Sequence, residues 1–336
     1  MSAVSSLASV VLGAAKSAQM AAQLAPMTEG QSNSPDHITR AQFATALNLI
    51  LFADLVARVP EGAEYVGDVV AGGGRITFDH GALRTIRMPS GDTGALPAGE
   101  GAFRRILEPL GYRVAATYPL PRLRMTGHAF CHLDYPETLP QFFVSELHVD
   151  QFDAPFAAAC ARIFGTSRDP LNTVARAVLD QFAAGEAVSL AEAQAAIPAI
   201  AAAFGCHHAT PALADYTLLK SSSAEAAWIA TEGNAFNHVT DRVGDVTAVA
   251  AAQRALGRAI KDRVEVSASG HVRQTAFRAA TVTRAFVAAH GETVQLPVPG
   301  SFFEFITRDR DAETGALDLS FDSGNATGIF AMTRTA

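Results

Sequence analysis

Apolar residues recur at helical spacing through "RAQFATALNLILFADLVARV", and Thr39 with Gln42 forms a capping box just ahead of it. This pattern predicts a helix over 40–59. The pattern changes to strand-like apolar content in "RITFDHGALRTIRM" (75–88). "GEGAFRRILEPLG" (99–111) predicts a short helix stopped by Pro109 and Gly111, and "HAFCHLDYP" and "QFFVSELHV" predict two strands divided by a turn.

From 151 to 206 the chain is rich in alanine and predicts helices, with Ser189 and Glu192 as a second capping box. Ser222 and Glu225 open a further helix ahead of "AFNHVTDRV" (235–243). Asp245 caps "VTAVAAAQRALGRAI", and "VRQTAFRAATVTRAF", "SFFEFITR" and "GIFAMTR" are strand-like. Strands, a helical block and strands again predict an α+β fold whose sheet is built from both ends of the chain. The expected organisation is one catalytic domain over 36–336, with sheet segments at 75–150 and 232–336 and a helical block at 151–231. Phe78-x-His80 and Phe236-x-His238 form a short internal echo, each in the first strand-like segment of its half.

Residues 1–35 are expected to form an N-terminal helix, at the surface or frayed, and a linker, "EGQSNSPDH". The first basic residue, Lys16, follows the apolar run, which argues against a secretory signal. That run is also too short and too rich in Ala and Ser to span a bilayer.

Composition narrows the function classes. The 336 residues are 49% apolar and 18% charged, enough to bury a sizeable core. The net charge of −7 argues against nucleic acid or an anionic membrane as partner. Cys131, Cys160 and Cys206 are odd in number and form no C-x-x-C pair, which argues against a disulfide scaffold and for a reducing, cytoplasmic setting. "AGGGR" (71–75) lacks the spacing of a phosphate or dinucleotide loop and reads as a turn, and no G-x-S-x-G elbow occurs.

The chemistry centres on Glu304, a carboxylate within "SFFEFITR". Buried among aromatics, it requires a partner, either Arg308 four residues on or a metal ion. Most of the ten histidines lie in a linker, at element ends or at turns. The "GCHH" cluster (205–208) has adjacent, diverging side chains, and His128 and His132 share a strand face without an evident carboxylate. His80 and His238 differ, because each lies in a strand-like motif, "DHGALRT" and "NHVTDRV". Two imidazoles and a carboxylate from three strands can occupy one face of an octahedral Fe(II), leaving three positions for substrate and O2.

"HGALRTI", "FFVSEL", "FNHVTDRV", "GSFFEFITR" and "GNATGIFAMT" together resemble the motif series of the 2-oxoadipate dioxygenase/decarboxylase family, also called hydroxyglutarate synthase. That family is similar to the vicinal oxygen chelate superfamily. The resemblance covers roughly 36–335 and implies a curved mixed or antiparallel sheet around a metal site, with a helical insertion. It implies His80, His238 and Glu304 as Fe(II) ligands and Arg84 as the holder of a substrate carboxylate. Gln274, Asn325 and Thr327 are secondary candidates for substrate contacts.

The implied reaction joins O2 to a 2-oxo acid. Carbon 1 leaves as CO2 and the shortened acid is hydroxylated, so 2-oxoadipate gives 2-hydroxyglutarate, a step of lysine breakdown. Two other classes stay open: a lyase, isomerase or hydrolase using Zn(II) or Mn(II), and a non-catalytic binding protein of the same fold. The partners expected are the small acid and O2, without nucleic acid or membrane, and homo-oligomerisation is left open.

Overall fold

The computed structural model describes residues 2–27 and 36–322. The strand expected at "GIFAMTR", and with it Asn325 and Thr327, lies outside the described residues.

The chain begins with two short helices, α1 (Ala3–Leu12) and α2 (Ala14–Gln23), hinged at Gly13 with φ +78°. They are not frayed. Val4, Leu7, Ala8 and Met20 are buried in the main core cluster, so apolar burial holds the segment down. After strand β1 (His37–Ile38), the Thr39 capping box forms as expected and opens α3 (Arg40–Arg58). Its Thr39 side chain accepts from the Gln42 amide at 3.2 Å, and Gln42 Oε1 accepts from the Thr39 amide at 3.0 Å. Helix α3 is long and apolar enough to cross a membrane, but most of it is buried inside the protein. It stops before Pro60, which starts α4 (Pro60–Ala71), a helix the sequence pattern had not indicated.

Next come β2 (Phe78–Arg87), α5 (Gly101–Leu107), β3 (Tyr112–Leu120), β4 (Met125–His132) and β5 (Gln141–His148). The helical block contains α6 (Ala154–Phe164), α7 (Thr173–Ala183), the short strand β6 (Val188–Ser189), α8 (Leu190–Ala202), α9 (Leu213–Ser222) and α10 (Ala224–Glu232). Strand β6 pairs with β1. Ser189 and Glu192 form the expected box on α8. Ser223, not Ser222, caps α10 by accepting from the Ala226 amide at 3.1 Å, because Ser222 still belongs to α9. The chain then forms β7 (Phe236–Arg242), α11 (Val246–Ala255) with Asp245 as its cap, β8 (Glu265–Val266), β9 (Val272–Ala276), a hairpin of β10 (Thr281–Val287) and β11 (Thr293–Pro299), and β12 (Phe302–Arg308).

Eight of these strands form one curled half-barrel in the order β3-β4-β5-β2-β7-β12-β9-β8. Each half follows one plan. Its first strand, β2 or β7, runs parallel to its last, β5 or β12, with a helix after the first strand. The halves join where β2 and β7 run antiparallel. The sequence echo is thus a structural repeat, with each histidine on the first strand of its half.

Strand alternation sorts the side chains between the two faces. Leu83, Val239, Phe303 and Phe305 join Phe52 and Tyr65 in the core under α3 and α4. His80, Ala82, Arg84, His238, Thr240 and Glu304 alternate with them and occupy the opposite face.

Candidate metal centre

The pairing of β2 with β7 sets His80 opposite Thr240 and Ala82 opposite His238. The register shifts between Phe78 and His80, so Asp79 sits at a bulge. The bulge brings neighbouring side chains together, with Asp79 Oδ1 2.8 Å from His80 Nδ1. On the other side of β7, Glu304 pairs with Thr240 in parallel register.

These pairings close a small triangle. His80 Nε2 and His238 Nε2 are 3.4 Å apart, and Glu304 Oε2 is 3.3 Å from the first and 3.2 Å from the second. Ligands about 2.1 Å from one ion lie about 3.0 Å apart at octahedral angles and about 3.4 Å apart at tetrahedral ones. The triangle therefore has the size that a shared cation requires. Among the described residues this is the group of His, Cys, Asp and Glu side chains close enough to hold a metal.

The hydrogen bonds around the triangle point the same way. Asp79 meets His80 at Nδ1, so the ring in its neutral form keeps its proton there and turns the Nε2 lone pair into the triangle. Thr240 Oγ1 already donates to Glu304 Oε2 at 2.7 Å. Glu304 Oε1 and His238 Nδ1 are buried without a hydrogen-bond partner among the described residues. Converging lone pairs and an orphaned carboxylate oxygen suit a cation. The residues present therefore fit a divalent metal with two imidazole nitrogens and one carboxylate oxygen.

Burial alone would raise the Glu304 carboxyl, but His238 and His80 hold it well below the usual carboxylate range. Burial also opposes charge on both rings. In His80 it is outweighed by Asp79 and Glu304, and the pKa rises. In His238 burial prevails and the pKa falls, despite Glu304, with His80 and Arg84 adding to the depression.

Arg308 is not the partner of Glu304. Its guanidinium forks onto Asp79, with Nε 3.1 Å from both carboxylate oxygens. Around the triangle, the Phe302 ring lies 4.8 Å from His238 and the Phe321 ring 4.8 Å from His80. The two-fold plan places Phe143 of β5 where β12 carries Glu304, since Gln141 pairs with His80 as Phe302 pairs with His238. Phe143 packs with Ala82, Ala129, Tyr118 and Phe321, so the first half contributes an apolar wall where the second half carries a carboxylate.

The other candidate residues divide. Arg84 shares the face of His80, is fully buried, and lies 5.1 Å from the Trp228 ring centroid. Gln274 is buried opposite Ile306, on the face of Glu304. His128 does have a carboxylate, Glu146 Oε1 at 3.5 Å, and stands apart from the triangle. His132 Nδ1 accepts from the Asp134 and Tyr135 amides, and burial pushes its pKa down to about 4. In the "GCHH" segment, His208 contacts Cys206 and backbone carbonyls. Sequence reasoning overlooked Asp79, Thr240 and Phe321. Only Asp79 carried a signal, as the residue directly before a candidate ligand.

A family model for 2-oxoadipate dioxygenase/decarboxylase matches residues 73–312. The chain belongs to this family. A solved structure from Ralstonia eutropha JMP134, provisionally assigned to the glyoxalase superfamily, is 48% identical with a TM-score of 0.90, covering 95% of this chain and 98% of that one. Among more distant family folds, rice (Oryza sativa) hydroxyglutarate synthase in complex with 2-oxoadipate is 19% identical with a TM-score of 0.64, covering 90% and 97%. The Pseudomonas putida hydroxyglutarate synthase, also in complex with 2-oxoadipate, is 19% identical with a TM-score of 0.57, covering 89% and 74%. These two share the fold of the chain. No curated protein matches it.

Proposed function

We propose that this protein is a non-haem Fe(II) dioxygenase that decarboxylates a 2-oxo acid, converting 2-oxoadipate and O2 to 2-hydroxyglutarate and CO2 in lysine breakdown. The observation that carries the reading is the convergence of His80 Nε2, His238 Nε2 and Glu304 Oε2 within 3.4 Å of one another, in a chain of this family.

In this reading His80, His238 and Glu304 would hold the metal through two imidazole nitrogens and one carboxylate oxygen. Bound Fe(II) supplies the redox chemistry by which O2 is activated and carbon 1 is lost. The chain supplies position and environment. Asp79 keeps the His80 proton on Nδ1, and Thr240 fixes the rotation of the Glu304 carboxylate. Phe143, Phe302 and Phe321 exclude water from the centre.

Arg84 holds the distal carboxylate of the substrate and so sets chain length. A guanidinium suits that task because its planar fork matches a carboxylate. Gln274, Asn325 and Thr327 are proposed as further substrate contacts. The catalytic unit is residues 36–336, and the free thiols of Cys131, Cys160 and Cys206 accord with a cytoplasmic setting.

The test is to purify the protein without oxygen, load Fe(II), add 2-oxoadipate and O2, and follow O2 uptake, CO2 and 2-hydroxyglutarate. One O2 consumed per CO2 and per 2-hydroxyglutarate supports the reading. Turnover without O2 uptake, on Zn(II) or Mn(II), would replace it with a non-oxidative lyase or isomerase. A sample that binds iron and turns over none of this acid would remove 2-oxoadipate as substrate.

A further inference from the structure

Asp79 and Arg308 are 229 residues apart in the chain and meet in the interior. Arg308 Nε donates to both Asp79 oxygens at 3.1 Å, and Nη2 donates to Oδ1 at 3.0 Å. The two side chains are 0% and 1% exposed. Asp79 Oδ1 is the atom that also meets His80 Nδ1.

The third arm of the guanidinium points elsewhere. Nη1 donates to the carbonyl oxygens of Asp318 at 2.9 Å and Ser320 at 2.6 Å. These residues belong to segment 317–322, which crosses the site. Gln141 Nε2 donates to the Leu319 carbonyl at 3.2 Å, and the Phe321 amide donates to the Tyr118 hydroxyl at 3.0 Å. The segment sets the Phe321 ring edge-on to His80, 5.0 Å from the Arg308 guanidinium carbon.

One guanidinium thus holds the carboxylate that orients an imidazole and the backbone that lays an aromatic ring over that imidazole. We propose that Arg308, acting through Asp79, is a positioning residue for His80, and that it couples metal binding at His80 to closure of segment 317–322. This inference rests on the metal-centre reading above.

The coupling has a physical route. A cation on Nε2 draws electron density from the ring and strengthens the Nδ1–H bond to Asp79. That favours the Asp79 rotamer in which Arg308 is docked, and docked Arg308 presents Nη1 to the two carbonyls. By linkage, a closed segment favours the metal to the same degree. Lysine carries the charge but has no planar fork, so it cannot satisfy Asp79 and both carbonyls in this geometry.

The test measures Mn(II) affinity by equilibrium dialysis, the ligand-field absorption of the Co(II)-substituted protein, and hydrogen exchange at the 317–322 amides with and without Mn(II). Arg308→Lys is compared with wild type. Arg308→Met alone strands a buried carboxylate and is prone to unfold, so the double variant Asp79→Asn/Arg308→Met, which removes both charges, is the second comparison.

In wild type, Mn(II) should slow exchange in the segment. Both variants should bind Mn(II) about ten- to a hundredfold more weakly. Both should also show altered Co(II) spectra and lose the metal dependence of exchange. Wild-type affinity and spectrum in the folded double variant would overturn the positioning role. Exchange in wild type that ignores Mn(II) would overturn the coupling. A wild-type protein that binds no divalent ion would overturn the metal-centre reading and this inference together, whereas normal metal binding with unaffected variants overturns this inference alone.

Discussion

The Nε2 atoms of His80 and His238 face each other at 3.4 Å, although 158 residues separate them in the chain. Two copies of one strand plan produce this meeting, because each histidine lies on the first strand of its half and those two strands pair at the middle of the sheet. Glu304, on the strand beyond β7, completes the triangle from one side only.

Removal of any one donor should abolish metal-dependent stabilisation. Divalent ion at about a hundred times its dissociation constant stabilises wild type by about 2.7 kcal/mol. His80→Ala, His238→Ala and Glu304→Ala should remain folded and show no such shift. Thermal melts with and without Mn(II) provide the check, and an undiminished shift in all three would reject the triad.

Arg84 should discriminate between substrates by their distal carboxylate. Arg84→Met is expected to lower kcat/KM for 2-oxoadipate about 10- to 100-fold, the value of a charged hydrogen bond. Its effect on 2-oxohexanoate, which lacks that carboxylate, should be small. Steady-state O2 uptake on the two acids decides the point.

Gly81 follows His80, and a Cβ placed there would lie 2.3 Å from the Phe236 ring. Gly81→Ala should therefore displace Phe236 or β2. The expected cost is about 1–3 kcal/mol in denaturant unfolding, with weaker Mn(II) binding as His80 moves. Unchanged stability would show that the ring shifts freely.

Phe303 faces away from the triangle of His80, His238 and Glu304. It is fully buried, its ring lies 5.5 Å from Tyr65, and a Cβ on Gly62 would reach within 2.9 Å of it. Phe303→Ala should cost about 3–5 kcal/mol of stability by leaving a cavity. Metal affinity of the folded fraction should change little, which separates the two faces of β12.

Asp241 gives a stability effect that depends on pH. Burial pushes its carboxyl up to about 6, despite hydrogen bonds from Tyr65 at 2.7 Å and the Thr77 amide at 2.8 Å. Between pH 4 and 6 the unfolded chain has released this proton and the folded protein retains it. Stability from this group is therefore greatest below about pH 4, declines as pH rises to 6, and is level above, by up to roughly 3 kcal/mol. Asp241→Asn should remove that slope, and the difference between wild-type and variant unfolding curves from pH 4 to 7 measures it.

The elements that sequence made legible obey local rules. Thr39, Ser189 and Asp245 cap helices because each side chain reaches an amide two or three residues ahead. Strands β2, β7 and β12 announced themselves by dense apolar content. The elements missed were weaker in this respect. Strand β3 is an edge strand with alternate residues open to solvent, and β11 contains two prolines.

Arg308 shows where local reasoning ends. Four residues on one strand face made it a natural partner for Glu304, but a rise of about 3.3 Å per residue puts their backbones about 13 Å apart. Strand β7 ends at Arg242, opposite Ile306, so Arg308 reaches past it to Asp79 on β2.

The sequence by itself determined which residue types lie at the strand motifs, and hence that His80, His238, Glu304 and Arg84 were the candidates. Tertiary structure decided that three of them share one triangle, that Arg308 serves Asp79, and that Phe321 covers His80. Those contacts join strands and segments up to 241 residues apart. Strand register, a bulge and the two-fold plan of the sheet fix them, and none of these is encoded within a single stretch of chain.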